Sequence, residues 1–178
     1  MNPTREEILI VDDKPANLKL LTQVLAGQGY RVRAASSGKL ALESVRASPP
    51  HLILLDIKMP EMNGYEVCES LKADELTRDI PVIFISALDY VQEKVRGFRV
   101  GGVDYITKPF QVEEVLARVE THLGLRRLQK QLQDSNARMV RELQLAALPQ
   151  AKFMPRQLPS LDGWQMSATL IPARETSG

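Results

Sequence analysis

Cysteine is almost absent from this sequence, since Cys68 is the single one among 178 residues. One thiol excludes an intramolecular disulfide and a cysteine-rich zinc cluster. Long hydrophobic runs are absent too, because no apolar stretch approaches the ~20 residues that a helix needs to cross a bilayer. The amino terminus, MNPTREEILIVDD, carries acidic residues where a signal peptide has a cationic end and an apolar run. We therefore expect a cytoplasmic protein without a membrane partner.

Charge is distributed unevenly along the chain. Up to His122 there are 15 basic and 18 acidic residues, a balance of −3, whereas from Leu123 onward there are 8 basic and 4 acidic residues, a balance of +4. An acidic segment is a poor general binder of nucleic acid, so we expect no nucleic-acid partner. The change of sign predicts two segments with different roles.

Short apolar runs alternate with helical patterns in the acidic segment. Each run is short enough for a strand that is buried on both faces, and strands that alternate with helices indicate parallel β-α-β units. We therefore predict an α/β fold, with a doubly wound five-stranded parallel sheet covered on both faces. The predicted strands are Ile8–Val11, Tyr30–Ala34, His51–Leu55, Val82–Ile85 and Tyr105–Ile106, and the predicted helices are Pro15–Ala26, Ser37–Ala47, Gly64–Ala73, Tyr90–Val100 and one that begins at Gln111.

Polar residues stand at the ends of four predicted strands. Asp12 and Asp13 follow the first strand, Asp56 the third and Ser86 the fourth, and the fifth strand runs into Lys108. In doubly wound sheets, ligands bind at the carboxyl ends of the strands. Three carboxylates, a hydroxyl and an ammonium group are therefore expected to meet on one rim.

This combination of groups favours phosphoryl transfer. Three close carboxylates repel each other unless a cation lies among them, and oxygen ligands favour a hard ion, most simply Mg²⁺. Lys108 adds a positive charge that suits a dianionic group. Together they are suited to in-line transfer of a phosphoryl group onto an aspartate.

Four sequence blocks resemble the receiver domains of bacterial two-component response regulators. They are VDD at Val11–Asp13, LLDIKMPEMNGYE at Leu54–Glu66, PVIFISA at Pro81–Ala87 and DYITKPF at Asp104–Phe110. All four occur in order and with the family's spacing, over roughly residues 6–122. The resemblance implies a flavodoxin-like receiver domain over 6–122 with strand order 2-1-3-4-5, a long C-terminal helical extension, and a sensor histidine kinase as partner.

The same resemblance assigns a phosphoacceptor and a magnesium site. Asp56 would accept the phosphoryl group and also contact the metal. Asp13 would ligate Mg²⁺ directly, Asp12 would act largely through bound water, and Lys58 would contribute its backbone carbonyl. The ordinary alternative for the paired aspartates is a helix N-cap.

Three further residues complete the implied site. Ser86 would hydrogen-bond the phosphoryl group and Lys108 would pair with it, so that both act with Asp56 in catalysis. The Lys108–Pro109 bond is expected to be cis, which helps to aim the lysine. Tyr105 would be the aromatic switch that turns inward as Ser86 moves. The alternatives are an ordinary surface lysine at 108 and an aromatic ring at 105 that covers the sheet edge.

Residues 123–148 continue the helical pattern, and Pro149 is the first proline to interrupt it. Leu125, Leu128 and Leu132 have the 3,4 spacing of a coiled-coil seam, which requires a stutter to continue further. We predict a parallel coiled coil that joins two copies as a homodimer. The alternatives are a single amphipathic helix packed on its own domain and, less favoured, a basic DNA-binding helix.

Residues 149–178 change composition again. Prolines at 149, 155 and 159 are expected to end the helix, and WQMSATLI predicts one strand. The segment from Val140 resembles the opening of the metal-dependent serine/threonine phosphatase domains of bacterial stress and sporulation signalling, although Ser177 replaces the first glycine of the family's PAxxxGGD. It implies the start of an incomplete output domain, whose metal-binding aspartates would follow Gly178. The matching residues are Glu142, Leu143, Leu145, Ala146, Gln150, Pro155, Pro159, Gly163, Trp164, Pro172, Ala173 and Gly178.

These features lead to one functional hypothesis and its alternatives. A sensor kinase would phosphorylate Asp56, and the change would pass through the dimerising linker to an output domain. The chain itself would be no enzyme beyond Mg²⁺-dependent self-phosphorylation and dephosphorylation, whereas a longer parent would be a phosphatase acting on a phosphoserine anti-sigma-factor antagonist. The alternative is a phosphorylation-controlled adaptor without catalytic output. A diguanylate cyclase output is disfavoured by the Pro- and Trp-containing tail.

Overall fold

The protein folds around one parallel sheet. The computed structural model describes residues 6–87, 91–152 and 163, with the backbone alone over 143–152. The strands are β1 Glu7–Val11, β2 Arg31–Ala35, β3 Leu52–Asp56, β4 Val82–Ser86 and β5 Asp104–Thr107, and the helices are α1 Pro15–Gly27, α2 Gly38–Ala47, α3 Gly64–Ala73, α4 Val91–Arg99 and α5 Val112–Lys152. The strands pair in parallel in the order β2-β1-β3-β4-β5. This order confirms the predicted doubly wound sheet and its 2-1-3-4-5 arrangement.

Both faces of the sheet are covered by helices. Strands β3 and β4 are buried throughout, because all but their last residues are apolar. Since side chains alternate between the faces of a strand, Leu9 and Leu55 pack with residues of α2 and α3, whereas Ile10 and Leu54 pack with residues of α1 and α5. The covered faces leave the ends of the strands as the place for a ligand.

The turn between β3 and α3 is held by a helix cap and a glycine. The Asn63 side chain accepts hydrogen bonds from the backbone N–H groups of Tyr65 and Glu66, and Glu66 Oε2 accepts from the Asn63 N–H at 2.8 Å. A Cβ atom on Gly64 would overlap the carbonyl oxygen of Asp56, the last residue of β3. Glycine is therefore required for α3 to begin this close to the strand end.

The carboxyl-terminal helix differs from its predicted extent. Helix α5 continues through Lys152, so the prediction that Pro149 ends it was wrong. An interior proline costs a helix about 3 kcal/mol, and the surrounding leucine and alanine residues have high helix propensity that offsets part of this cost. The predicted strand at 164–171 lies outside the described residues, as does Tyr90.

The chain divides into two units, Met1–Lys130 and Gln131–Gly178. The first unit extends beyond His122, the predicted end of the first domain, because Arg126 is bound within it. Its Nη1 donates a hydrogen bond to the carbonyl oxygen of Pro50 at 2.9 Å. The described part of the second unit consists of helix α5 from Gln131 to Lys152, with side chains described up to Glu142, and of Gly163. In the described parts of the chain, every helix is too short or too polar to cross a bilayer.

Candidate functional site

The carboxyl ends of four strands place polar side chains on one rim of the sheet. Asp12 follows β1, Asp56 ends β3, Ser86 ends β4, and Lys108 follows β5. Asp56 pairs with Ile85 across β3 and β4, so the ends of these strands are level. Asp12, Asp56 and Ser86 are buried, and each residue is at most 4% exposed. The structure thus brings together groups that are 96 and 52 residues from Lys108 in the chain.

Lys108 bridges two of the carboxylates. Its Nζ donates hydrogen bonds to Asp12 Oδ2 at 2.7 Å and to Asp56 Oδ1 at 2.8 Å. Its backbone N–H donates to the carbonyl oxygen of Ser86 at 2.7 Å, and its peptide bond to Pro109 is cis. Only 18% of the lysine side chain is exposed, and charge-assisted bonds of this kind are stronger away from water.

Asp12 is held by donors from the beginning of α1. Its Oδ1 accepts from the Lys14 N–H at 2.8 Å, and its Oδ2 accepts from Asn17 Nδ2 at 2.8 Å. The N-cap of α1 is Lys14, and the described structure shows no capping bond from its side chain. Neither Asp12 nor Asp13 is therefore the N-cap residue, which was the alternative interpretation of the pair.

Asp13 completes an acidic cluster whose composition fits a divalent cation. One carboxylate oxygen from each of Asp12, Asp13 and Asp56 lies within 4.8 Å of the others. Asp13 Oδ1 is buried, and it has no hydrogen-bond partner among the described residues. A metal would satisfy this oxygen, and an all-oxygen donor set fits Mg²⁺. Lys58, the further predicted contributor, has an exposed side chain and lines the same cavity as Asp13.

The environment shifts the pKa values of two groups in the cluster. Burial raises the pKa of the Asp56 carboxyl above its ordinary value, although the hydrogen bond from Lys108 opposes this change. Burial alone would lower the pKa of Lys108, but its bonds to Asp12 and Asp56 outweigh burial and raise it. Lys108 is therefore a permanent cation near neutral pH, and a metal in the cluster would favour the ionised form of Asp56.

Ser86 and Tyr105 lie on the neighbouring strands β4 and β5. Ser86 is fully buried at the end of β4, and Tyr105 pairs with Phe84 across the two strands. The Tyr105 side chain packs in the same layer as Phe84, with 7% of the residue exposed. Its ring is therefore turned inward, and the Nζ of Lys94 lies 5.6 Å from the ring centroid.

Three contributors to the site were not predicted from the sequence. Asn17 reaches Asp12 because the first turn of α1 lies beside the rim. The sequence signal for this contact was an amide side chain in the first turn of the helix that follows the paired aspartates. Gly64 lies against the Asp56 backbone, and its position directly after the capping asparagine was the signal for a close approach. Arg96, whose Cζ lies 4.4 Å from the centroid of the Tyr65 ring, had no sequence signal.

Known proteins are similar to this part of the chain in sequence and in fold. Residues 8–120 match the family model of the response regulator receiver domain. A "probable cyclic di-GMP phosphodiesterase" of Vibrio cholerae is 46% identical over 129 residues, which cover 72% of this chain and 29% of that protein. The "DNA-binding dual master transcriptional regulator RpaA" of Synechocystis is 45% identical over 116 residues, which cover 65% of this chain and 48% of that protein. The crystal structure of a CheY-like response regulator receiver domain protein from Methanospirillum hungatei is 29% identical, has a TM-score of 0.66, and covers 71% of this chain and 99% of that chain.

The extent of these matches is limited to one part of the chain. The chain spans less than half the length of the two curated relatives, but nearly the whole of the solved structure. The sheet and its rim lie within the matched residues 8–120. The shared feature is therefore the domain that carries the acidic cluster and Lys108.

Proposed function

This chain belongs to the response regulator receiver domain family, and we propose that Asp56 is its phosphoacceptor. Receiver domains are phosphorylated by histidine kinases. The observation that carries the proposal is the 2.8 Å contact between Lys108 Nζ and Asp56 Oδ1, beside the carboxylates of Asp12 and Asp13. A nucleophilic carboxylate between a fixed ammonium group and a set of metal donors has the charge arrangement that phosphoryl transfer requires.

In the proposed reaction, a carboxylate oxygen of Asp56 attacks phosphorus and the bond to the kinase histidine nitrogen breaks, which leaves an aspartyl phosphate. Asp13 and Asp56, with the backbone carbonyl of Lys58 and with Asp12 largely through bound water, would hold Mg²⁺. When bound, this ion neutralises charge on the phosphoryl oxygens. Lys108 then exchanges one carboxylate partner for a phosphoryl oxygen, which is also a strong acceptor.

We extend the proposal to the response that follows phosphorylation. The hydroxyl of Ser86 donates to the new phosphoryl group, and Tyr105 is the aromatic switch whose inward ring position is favoured as Ser86 moves toward that group. Tyr105 pairs with Phe84, two residues before Ser86 on β4, so Ser86 and Tyr105 are diagonal neighbours on β4 and β5, and this supports the coupling. If it holds, Ser86→Ala will shorten the lifetime of the phosphorylated state and leave the labelled residue unchanged, as measured by the decay of the phosphorylated mass.

Phosphorylation of Asp56 is tested by intact-mass spectrometry after incubation with acetyl phosphate and Mg²⁺. We expect the wild-type chain to gain one phosphoryl group, and we expect no gain in Asp56→Asn or without Mg²⁺. Asp74→Asn is the matched control, because Asp74 lies at the end of α3, where its Oδ1 accepts from the Leu76 N–H at 2.9 Å. Labelling of Asp56→Asn at the wild-type level would contradict the proposal.

We also propose that residues 123–148 form a parallel coiled coil between two copies of the chain. Leu125 and Leu128 are 50% and 64% exposed, and Leu132 continues their 3,4 spacing and is 64% exposed. Burial of these side chains against a second helix would remove apolar surface from water. Sedimentation equilibrium should therefore give a dimer for the wild type and a monomer for Leu128→Glu, with the neighbouring Gln129→Glu as the control. A monomeric wild type would contradict the coiled coil.

For the output, we propose a metal-dependent serine/threonine phosphatase domain that acts on a phosphoserine anti-sigma-factor antagonist. The sequence resemblance of the last forty residues or so supports this proposal. The test is release of phosphate from a phosphoserine antagonist by the full-length natural protein, with its receiver phosphorylated or not. Hydrolysis would support the phosphatase, whereas binding of a protein partner without hydrolysis would indicate the adaptor.

A further inference from the structure

A cavity of about 520 Å³ opens beside the phosphoacceptor rim. At one place its wall is formed by Asp13, a member of the acidic cluster, and elsewhere by Lys58 and Arg96. The proposed phosphotransfer chemistry makes no use of Arg96. The cavity therefore joins the acidic cluster to cationic side chains that have no assigned role in the reaction.

Arg96 is positioned by an aromatic platform. Its guanidinium Cζ lies 4.4 Å from the centroid of the Tyr65 ring, which also lines the cavity. Tyr65 is 2% exposed, and its hydroxyl donates to Glu93 Oε2 at 2.8 Å. A cation over a fixed aromatic ring is held in place more firmly than a free surface side chain.

The backbone of α4 is also held close to the sheet. A Cβ atom on Gly97, the residue after Arg96, would lie 3.1 Å from Phe84 Cδ2. The rings of Phe84 and Tyr65 are themselves in contact, with centroids 5.4 Å apart. Arg96 is exposed, and the close packing of α4 together with the stacking on Tyr65 places its guanidinium at the cavity wall.

We propose that Arg96 is a specificity-determining residue for small-molecule phosphodonors, and that it favours acyl phosphates. This inference rests on the proposed function of Asp56. An acyl phosphate carries a phosphoryl group on a carboxylate leaving group. During transfer the phosphoryl group stays anionic, and the leaving carboxylate gains a negative charge. The cavity would admit the phosphoryl end toward the acidic cluster and the acyl end toward Arg96 and Lys58.

The proposed step is balanced without another reactant. A carboxylate oxygen of Asp56 forms a bond to phosphorus, and the bond between phosphorus and the acyl oxygen breaks. The leaving carboxylate takes the bonding electron pair and departs as an anion, so no proton is needed. Arg96 stabilises the charge that develops on this leaving oxygen. Phosphoramidate differs in that it releases ammonia, which carries no negative charge for the guanidinium to bind.

The test compares the second-order rate constants of phosphorylation by acetyl phosphate and by phosphoramidate, both with Mg²⁺. For Arg96→Gln we expect a loss of roughly three- to tenfold with acetyl phosphate, smaller than the loss of a well-aligned oxyanion donor, and little change with phosphoramidate, whose leaving group is uncharged. Arg96→Lys should retain part of the rate. Arg99→Gln, an exposed position on the same helix, controls for net charge and should leave both rate constants unchanged.

Ionic strength gives a second measurement that a structural role would not affect. Added salt screens the charge of Arg96, so the difference between the wild type and Arg96→Gln should narrow. Equal losses with both donors, or no loss with either, would overturn the inference while phosphorylation of Asp56 still stood. If neither donor labels the wild type, the phosphoacceptor proposal itself fails.

Discussion

Replacement of Lys108 by methionine removes the cation between Asp12 and Asp56 and keeps an unbranched side chain. The Lys108 ammonium group makes two charge-assisted hydrogen bonds, at 2.7 and 2.8 Å, and 18% of its side chain is exposed. Loss of one member of a buried ionic group costs about 3–5 kcal/mol, because the remaining charges are left uncompensated. Since the remaining carboxylates can take up protons, we expect the free energy of unfolding to fall by about 3 kcal/mol at pH 7 without Mg²⁺.

The pH dependence of this loss follows from the signs of the two pKa shifts. The folded-state pKa of Lys108 is raised, so its contribution to stability is complete at pH 7 and is lost as the pH rises through that pKa. The folded-state pKa of Asp56 is also raised, so its ionisation lowers stability, and removal of Lys108 will raise this pKa further. The variant should therefore recover stability as the pH falls below 7 and Asp56 takes up a proton. Mg²⁺ should reduce the loss at pH 7, because it replaces the missing positive charge.

Urea unfolding followed by circular dichroism, at pH 7 and pH 5 and with and without Mg²⁺, measures these differences. Lys72→Met is the matched control, because Lys72 Nζ also makes two hydrogen bonds, to the carbonyl oxygens of Arg78 and Ile80 at 2.7 Å each. These acceptors do not titrate, so the control penalty should be independent of Mg²⁺ and of pH in this range. A Lys108→Met penalty that is likewise independent of both would refute the electrostatic reasoning.

Three further outcomes follow from the geometry. Gly64→Ala should lower the free energy of unfolding by about 1–3 kcal/mol, because its methyl group overlaps the Asp56 backbone; Gly27→Ala, whose Cβ would have no described neighbour within 4 Å, is the control for this urea titration. Burial raises the pKa of the Cys68 thiol to about 11, so a thiol reagent should label it only as the protein unfolds, and fast labelling of the native state would be inconsistent with the fold. Burial alone would raise the pKa of Asp104, but its hydrogen bonds with Arg118, His122 and the Tyr105 N–H together outweigh burial and hold the pKa below the ordinary value. Its stabilising contribution is present near neutral pH and lost in acid, so thermal melts should show a larger penalty for Asp104→Asn at pH 7 than at pH 3.

Much of the sheet could be predicted from local sequence because its central strands, β1, β3 and β4, are almost entirely buried. Residues 52–55 and 82–85 are continuous apolar runs of strand length, and helices of clear amphipathic pattern separate them from other runs. The order of the sheet was confirmed, but it came from the resemblance to a family and not from the pattern. Strand polarity then places Asp12, Asp56 and Lys108 at the same edge.

Other features depend on contacts between distant elements, which a local pattern does not contain. The stacking of Arg96 on Tyr65 requires α4 and α3 to lie side by side. Glycine at position 97 permits this close packing, because a Cβ atom there would lie 3.1 Å from Phe84 Cδ2. The end of α5 was predicted wrongly because a proline was treated as a stop signal, whereas Pro149 lies within the helix. A local rule gives the cost of a proline but not whether neighbouring residues offset it.

The most direct test of the account is the identification of the phosphorylated residue. The chain is labelled with acetyl phosphate and Mg²⁺, the aspartyl phosphate is reduced with borohydride to homoserine, and the position of homoserine is read by tandem mass spectrometry. The account predicts homoserine at residue 56 alone. It also predicts that much less homoserine forms in Lys108→Met than in the wild type. Conversion at another carboxylate, with residue 56 unmodified, would contradict it.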